Sequence, residues 1–277
     1  MNLDDSIPCN LISSNAEGPI GVFDSGVGGI SVLKHIRAAM PSENLLYVAD
    51  SKFAPYGNKT PEFIRERADV IARFLIDKGA KALVVACNTA TAAAAEYLRG
   101  QYAIPIIAME PAVKPAAQAT KTGVIGVLAT SGTLQSAQFA ALLEHYGQQV
   151  QVVTQACHGL VECIERGDLT GGETQGLLSR YVQPLLEAHA DTIVLGCTHY
   201  PFVRPLIEKL VGPEVALVDT GAAVARHLKN RLDALQLGSL KTTEGSVEFW
   251  SNSLDAKASQ VLGQLWGKSV QVKAFKD

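Results

Sequence analysis

From residue 19 onward, short apolar runs alternate with longer stretches whose apolar positions recur at helical spacing. "IGVFD" (20–24) predicts a strand that ends in a Gly-rich turn, with an amphipathic helix over 31–39 after it. "LLYVAD" (45–50) predicts a second strand. Between 61 and 78, Phe63, Ile64, Ala68, Ile71, Phe74 and Leu75 fall on one helical face, and Pro61 suits a first turn, where its missing N–H leaves no bond unmade. "KALVVAC" (81–87) predicts a third strand, and "TAAAAEYLR" opens the next helix. The rhythm continues through "PIIAM" (105–109), "GVIGVLA" (123–129), "QVQVV" (149–153), "TIVLGC" (192–197) and "VALVD" (215–219). From about Gln236 the pattern predicts a closing strand, a helix near 255–266 and a last strand, without deciding which part of the fold they join.

Strands that are apolar throughout, interleaved with helices, belong to parallel sheets covered on both faces, so the expected class is α/β. Ligands of such sheets sit at the carboxyl ends of strands. Those ends repeat. "VVACNTA" (84–90) resembles "VLGCTHY" (194–200), with Cys87 and Cys197 separated by 110 residues (197 − 87). "VFDSGVGG" (22–29) resembles "LATSGTLQ" (128–135), with Asp24 and Thr130 separated by 106 (130 − 24). Two motif pairs at nearly one offset predict two pseudo-symmetric lobes, each a mainly parallel sheet flanked by helices, facing a shared cleft. The expected division is a loose N-terminal extension over 1–18, a first lobe from 19–110 plus 220–277, and a second lobe over 111–219.

Composition narrows the partners. A chain of 277 residues with 47% hydrophobic residues, 18% charged residues and a formal charge of −3 is an ordinary globule without the electrostatic footprint of a nucleic-acid or membrane-surface binder. No apolar run reaches the roughly 18 residues of a membrane helix. The polar, acidic start does not read as a secretory signal. Five cysteines (Cys9, Cys87, Cys157, Cys163, Cys197), odd in number and without CxxC spacing, argue against a disulfide framework or a structural zinc site. Reduced thiols in the cytoplasm are the simplest expectation.

Singly, Cys87 and Cys197 read as small buried hydrophobes. Jointly, each ends a strand, begins a polar loop and precedes a helix N-terminus that favours a thiolate. Two such thiols across one cleft suit proton transfer at a stereocentre: one thiolate removes the proton and the other thiol returns one from the opposite side. Rival readings are weaker. "DSGVGG" lacks the GxGxxG register of dinucleotide sites, and Cys197 with His199 has no second pair of ligands at metal spacing. Asp24 reads equally as a helix-capping carboxylate or as a partner for a thiol. Tyr56 and Gly57, in a Pro/Gly turn, could line a ligand through backbone amides or form an ordinary loop. Cys157, Cys163 and His158 read as packing or capping residues, and Cys9 as a residue without a role.

The ordered set "VFDSGVGGISVL", "FAPYGNKT", "VVACNTATA", "LATSGT", "VLGCTHYP" and "VDTGAAVA" resembles the successive motifs of the glutamate racemases, in the aspartate/glutamate racemase superfamily, over roughly residues 19–230. The resemblance implies cofactor-independent interconversion of L- and D-glutamate, with D-glutamate supplied to peptidoglycan. It implies that Cys87 and Cys197 are the two bases, that Asp24 assists Cys87, and that His199 with Glu162 of "HGLVECIERG" assists Cys197, although "ACHGLVE" is less proline-rich than the family form. Substrate contacts fall by the same match on Asp24, Ser25, Tyr56, Gly57, Asn88, Thr89, Thr130, Thr133, Thr198 and His199. Many members are dimers, and some are controlled by a peptidoglycan precursor. The motifs agree with a cofactor-free site: they offer hydroxyls, amides and backbone N–H groups for carboxylates, and no lysine stands beside a Gly/Ser phosphate cup. An aspartate racemase shares the paired thiols, and a two-lobed amino-acid-binding protein shares the cleft but has no need of them.

Overall fold

The structure, a computed structural model, describes residues 16–253 and 256–276, so Cys9 and nearly all of the N-terminal extension lie outside the described residues. The first sheet begins with β1 (Ile20–Asp24), β2 (Leu45–Ala49), β3 (Ala82–Val85) and β4 (Ile106–Ile107). Between these strands run α1 (Ile30–Ala39), α2 (Pro61–Asp77) and α3 (Asn88–Gln101). The second sheet holds β5 (Val124–Ala129), β6 (Gln151–Ala156), β7 (Thr192–Leu195) and β8 (Ala216–Val218). Its helices are α4 (Val113–Ala119), α5 (Ser131–Leu134), α6 (Ala137–Tyr146), α7 (Leu160–Glu165), α8 (Gly172–Glu187) and α9 (Arg204–Val211). The chain closes with α10 (Gly221–Ala234), β9 (Val247–Ser251), α11 (Ala256–Trp266) and β10 (Val272–Ala274).

Both sheets are parallel throughout, and the class is α/β, as the unalternating strands predicted. Every residue of β1, β2 and β3 is buried, because helices cover both faces and alternate side chains enter different cores. Ile20 and Val22 join α1, α10 and α11 on one side, whereas Phe23 joins α2 and α3 on the other. The strand orders are β10-β9-β2-β1-β3-β4 and β6-β5-β7-β8, so the run β2-β1-β3-β4 repeats as β6-β5-β7-β8. The tail adds β9 beside β2 and β10 beside β9, which assigns it to the first sheet.

The ladders shift the repeat by one residue. Phe23 pairs with Val85 and Leu128 with Leu195, and each of these partners lies two positions before a cysteine. Ser25 and Thr130 are therefore the equivalent residues, 105 apart (130 − 25), and Asp24 corresponds to Ala129. Similar letters around "SG" favoured the neighbouring alignment, but strand pairing decides the register.

Candidate active site

The loops after β1, β2 and β3 of the first sheet meet those after β5 and β7 of the second around one cavity. Cys87 is the N-cap of α3, its sulfur 3.4 Å from the Ala90 N–H and 3.8 Å from the Ser25 hydroxyl. Cys197 holds the matching position after β7, and its sulfur is 3.6 Å from His199 Nδ1. Both sulfurs line a cavity of about 10 Å³, together with Ser25, Asn88, Thr198 and His199. That volume holds about one water molecule. Gly57, Thr89 and Thr130 connect it to a larger cavity of about 840 Å³ that opens outward past Lys59, His158 and Glu162.

Asp24 is not the cap of α1, whose N-cap is Gly29 without a side-chain cap bond, but it braces the turn before that helix. Its carboxylate accepts the Ser25 N–H and the Gly29 N–H, each at 2.7 Å, and so holds the Gly-rich turn before α1. It also takes the Thr198 hydroxyl at 3.4 Å and lies beside the Cys87 thiol. Complete burial raises its pKa, and Glu165 raises it further against the lowering effects of His199 and Cys87. The Cys87 thiol is pushed well up, first by burial and then by Asp24. Here the helix N-terminus does not yield the depressed thiol expected from sequence: the Ala90 N–H acts in that direction, but desolvation outweighs it.

His199 is joined to a carboxylate through its other nitrogen. Nε2 lies 2.6 Å from Glu165 Oε1, and that oxygen also accepts the Val27 N–H at 2.8 Å. Burial lowers the pKa of His199, but its contacts with Cys197 and Glu165 outweigh that and hold it well above the ordinary value. The carboxylate on His199 is therefore Glu165, whereas Glu162 lines the outer cavity. The two glutamates stand three positions apart on α7, one turn of the helix, and "ECIE" alone does not say which of them turns inward. Glu165, the Val27 amide and Ser31, whose hydroxyl donates to Thr198 O at 2.8 Å, were missed by sequence reasoning.

The hydroxyls predicted to touch substrate converge. Thr89, Thr130 and Thr133 form a triangle with oxygen separations of 2.9, 3.2 and 3.0 Å, Thr89 coming from the first lobe and the others from the second. Thr130 also caps α5 by accepting the Thr133 N–H. Asn88 is buried beside Cys87, and its Oδ1 has no hydrogen-bond partner among the described residues. Tyr56 and Gly57 line the inner cavity, but the Tyr56 hydroxyl is already committed to Asp50. Burial and that carboxylate raise the phenol's pKa further out of the physiological range. Of the remaining predicted residues, Cys157 and Cys163 are buried, and burial pushes the Cys157 thiol up to about 12. The ring of His158 lies 3.3 Å from the Ser131 hydroxyl.

The site thus presents two sulfurs at equivalent strand ends, one accompanied by a carboxylate and the other by an imidazole held by a carboxylate. They share the cavity with one unfilled acceptor, Asn88 Oδ1, and with hydroxyls, and no lysine or arginine is among its lining groups. The profile of the Asp/Glu/hydantoin racemase family matches residues 20–228. The glutamate racemase of Stutzerimonas stutzeri is 54% identical over 263 residues, which cover 95% of this chain and 99% of that protein. The structure superposes on Francisella tularensis glutamate racemase in complex with D-glutamate at a TM-score of 0.82, with 28% identity over 94% of this chain and 98% of the other. Escherichia coli glutamate racemase, solved with L-glutamate and the activator UDP-MurNAc-Ala, gives a TM-score of 0.82 and 30% identity over 93% of this chain and 97% of the other.

Proposed function

The chain belongs to the glutamate racemases of the Asp/Glu/hydantoin racemase family, and from that premise we propose that it interconverts L- and D-glutamate through the paired thiols of Cys87 and Cys197. D-glutamate made this way serves peptidoglycan synthesis. The observation that carries the mechanism is the placement of the two sulfurs at matching ends of β3 and β7, on one inner cavity. Substrate Cα placed between them meets a base on one face and an acid on the other.

A protonated His199, 3.6 Å from the Cys197 sulfur, is an electrostatic partner for a thiolate there. Asp24, with its pKa raised, can take and return the proton of Cys87. The substrate's carboxylates would be held by the threonine hydroxyls and backbone N–H groups, and its ammonium by the open Oδ1 of Asn88. Excluding water from this space strengthens each of those contacts and assists removal of a weakly acidic Cα hydrogen.

In deuterated water, L-glutamate should acquire Cα deuterium while optical rotation decays to zero. Cys87→Ala and Cys197→Ala should each lower the rate by about 10²–10⁴-fold, the contribution of a positioned acid or base. Racemisation at the wild-type rate in either variant would refute the two-thiol mechanism. Three finer expectations accompany the reading. A homodimer is checked by sedimentation, and control by a peptidoglycan precursor by assay with and without UDP-MurNAc-Ala, which activates the E. coli relative. Residence in the cytoplasm is checked by fractionation; it is supported by the four free cysteines among the described residues, where no helix is long and apolar enough to cross a membrane.

A further inference from the structure

The tail that follows the family motifs reaches the cleft indirectly. Asn252, just beyond β9, donates from Nδ2 to Asp50 Oδ1 at 2.6 Å, and its Oδ1 accepts the Lys52 N–H at 3.0 Å. One carboxamide therefore ties the end of β2 to the start of the loop that carries Tyr56 and Gly57. Asp50 is fully buried, receives two bonds from Arg67 at 3.0 and 2.7 Å, and accepts the Tyr56 hydroxyl. The Arg67 guanidinium in turn lies 4.4 Å from the centroid of Phe53, within the same loop.

The far side of that loop has no slack. A Cβ on Gly57 would stand 2.8 Å from Thr130 Cβ, and one on Gly132 would stand 3.0 Å from the Gly57 carbonyl oxygen. A displacement of a few tenths of an ångström would change how Gly57 meets the threonine hydroxyls of the opposite lobe. We propose that Asn252 is a positioning residue for substrate binding, holding the 51–58 loop against the cleft through Asp50 and Lys52. The proposal rests on the racemase reading for its kinetic consequence, but not for its structural one.

Two readouts test it on the full-length protein. Loss of a hydrogen bond to a buried carboxylate loosens the loop without touching either sulfur. Asn252→Ala should therefore raise KM for both enantiomers about tenfold while kcat stays near wild type. Asn252→Asp should raise KM further, because it sets a second carboxylate against Asp50. Independently of substrate, amide exchange at Lys59, whose N–H bonds the Tyr56 carbonyl at 3.0 Å, should accelerate about tenfold in Asn252→Ala. Unchanged KM, a loss confined to kcat, or unchanged Lys59 exchange overturns the proposal. A wild-type protein inactive on glutamate would instead overturn the racemase reading, and Lys59 exchange would still decide the role of Asn252.

Discussion

At Cys197 the neighbouring group is an imidazole, and at Cys87 it is a carboxylate, so equivalent sulfurs are tuned by different means. The imidazole depends on Glu165: the contact at 2.6 Å, with the one to Cys197, overcomes the burial that would otherwise keep His199 neutral. Glu165→Gln keeps the shape and removes the charge. We expect the alkaline limb of kcat/KM to move to lower pH by about 1–2 units, since a charge-assisted bond of this kind is worth roughly that much. Stability should follow with a definite sign. A folded-state pKa raised above the ordinary 6.5 contributes stability that is fully present below that value and is lost as pH rises through the folded value. The Gln variant should accordingly show its largest deficit at acid pH, narrowing on the alkaline side, when denaturant unfolding is measured across that range. A pH profile that superposes on wild type would show that Glu165 does not tune His199.

Among the elements, the turn between β1 and α1 contributes mostly by what it lacks. A Cβ on Gly28 would lie 2.3 Å from His199 Nδ1, and one on Gly26 would lie 1.9 Å from Glu165 Oε1. Backbone of the first lobe thus packs directly on the acid–base pair of the second, and Gly28→Ala should displace the imidazole from Cys197. We expect kcat to fall about 10²-fold, with melting temperature changed little relative to that loss, as checked by kinetics and calorimetry. Much of this was legible in the sequence: strands appeared as unalternating apolar runs, and Cys87 and Cys197 stood out as a pair because the strand-end motif around them repeats, whereas Cys157, which also follows a strand, has no such partner. What stayed hidden depends on pairing or on rotation about a helix axis. The ladder moved the partner of Thr130 from Asp24 to Ser25, and the turn of α7 brought Glu165 inward where Glu162 had been expected. The role of Asp50 and Asn252 was equally invisible, because residues 202 positions apart in sequence leave no local pattern when they share a hydrogen bond.

On the scale of the whole molecule, the inner cavity of about 10 Å³ is too small for a five-carbon amino acid, so the groups around the sulfurs must move for substrate to arrive, and we expect the lobes to part. Several bonds cross between them, and the one from Val27 N–H to Glu165 Oε1 is a convenient reporter, because donor and acceptor belong to different lobes. Gly29 N–H, held by Asp24 within its own turn, is the internal standard. Amide exchange should be faster at Val27 than at Gly29 in the free protein, and glutamate should slow Val27 selectively. Equal rates at both positions, unaffected by glutamate, would mean that opening occurs without separating these loops.

The unequal company of the two sulfurs has a last consequence. Mirror-image substrates have the same free energy in water, so the equilibrium constant is one, and the ratio kcat/KM must be identical in the two directions whatever the protein does. An active site built from two copies of one half-lobe would meet that demand by symmetry. This one pairs a lone carboxylate at Cys87 with an imidazole–carboxylate couple at Cys197, so its two directions need share neither turnover number nor affinity, only their quotient.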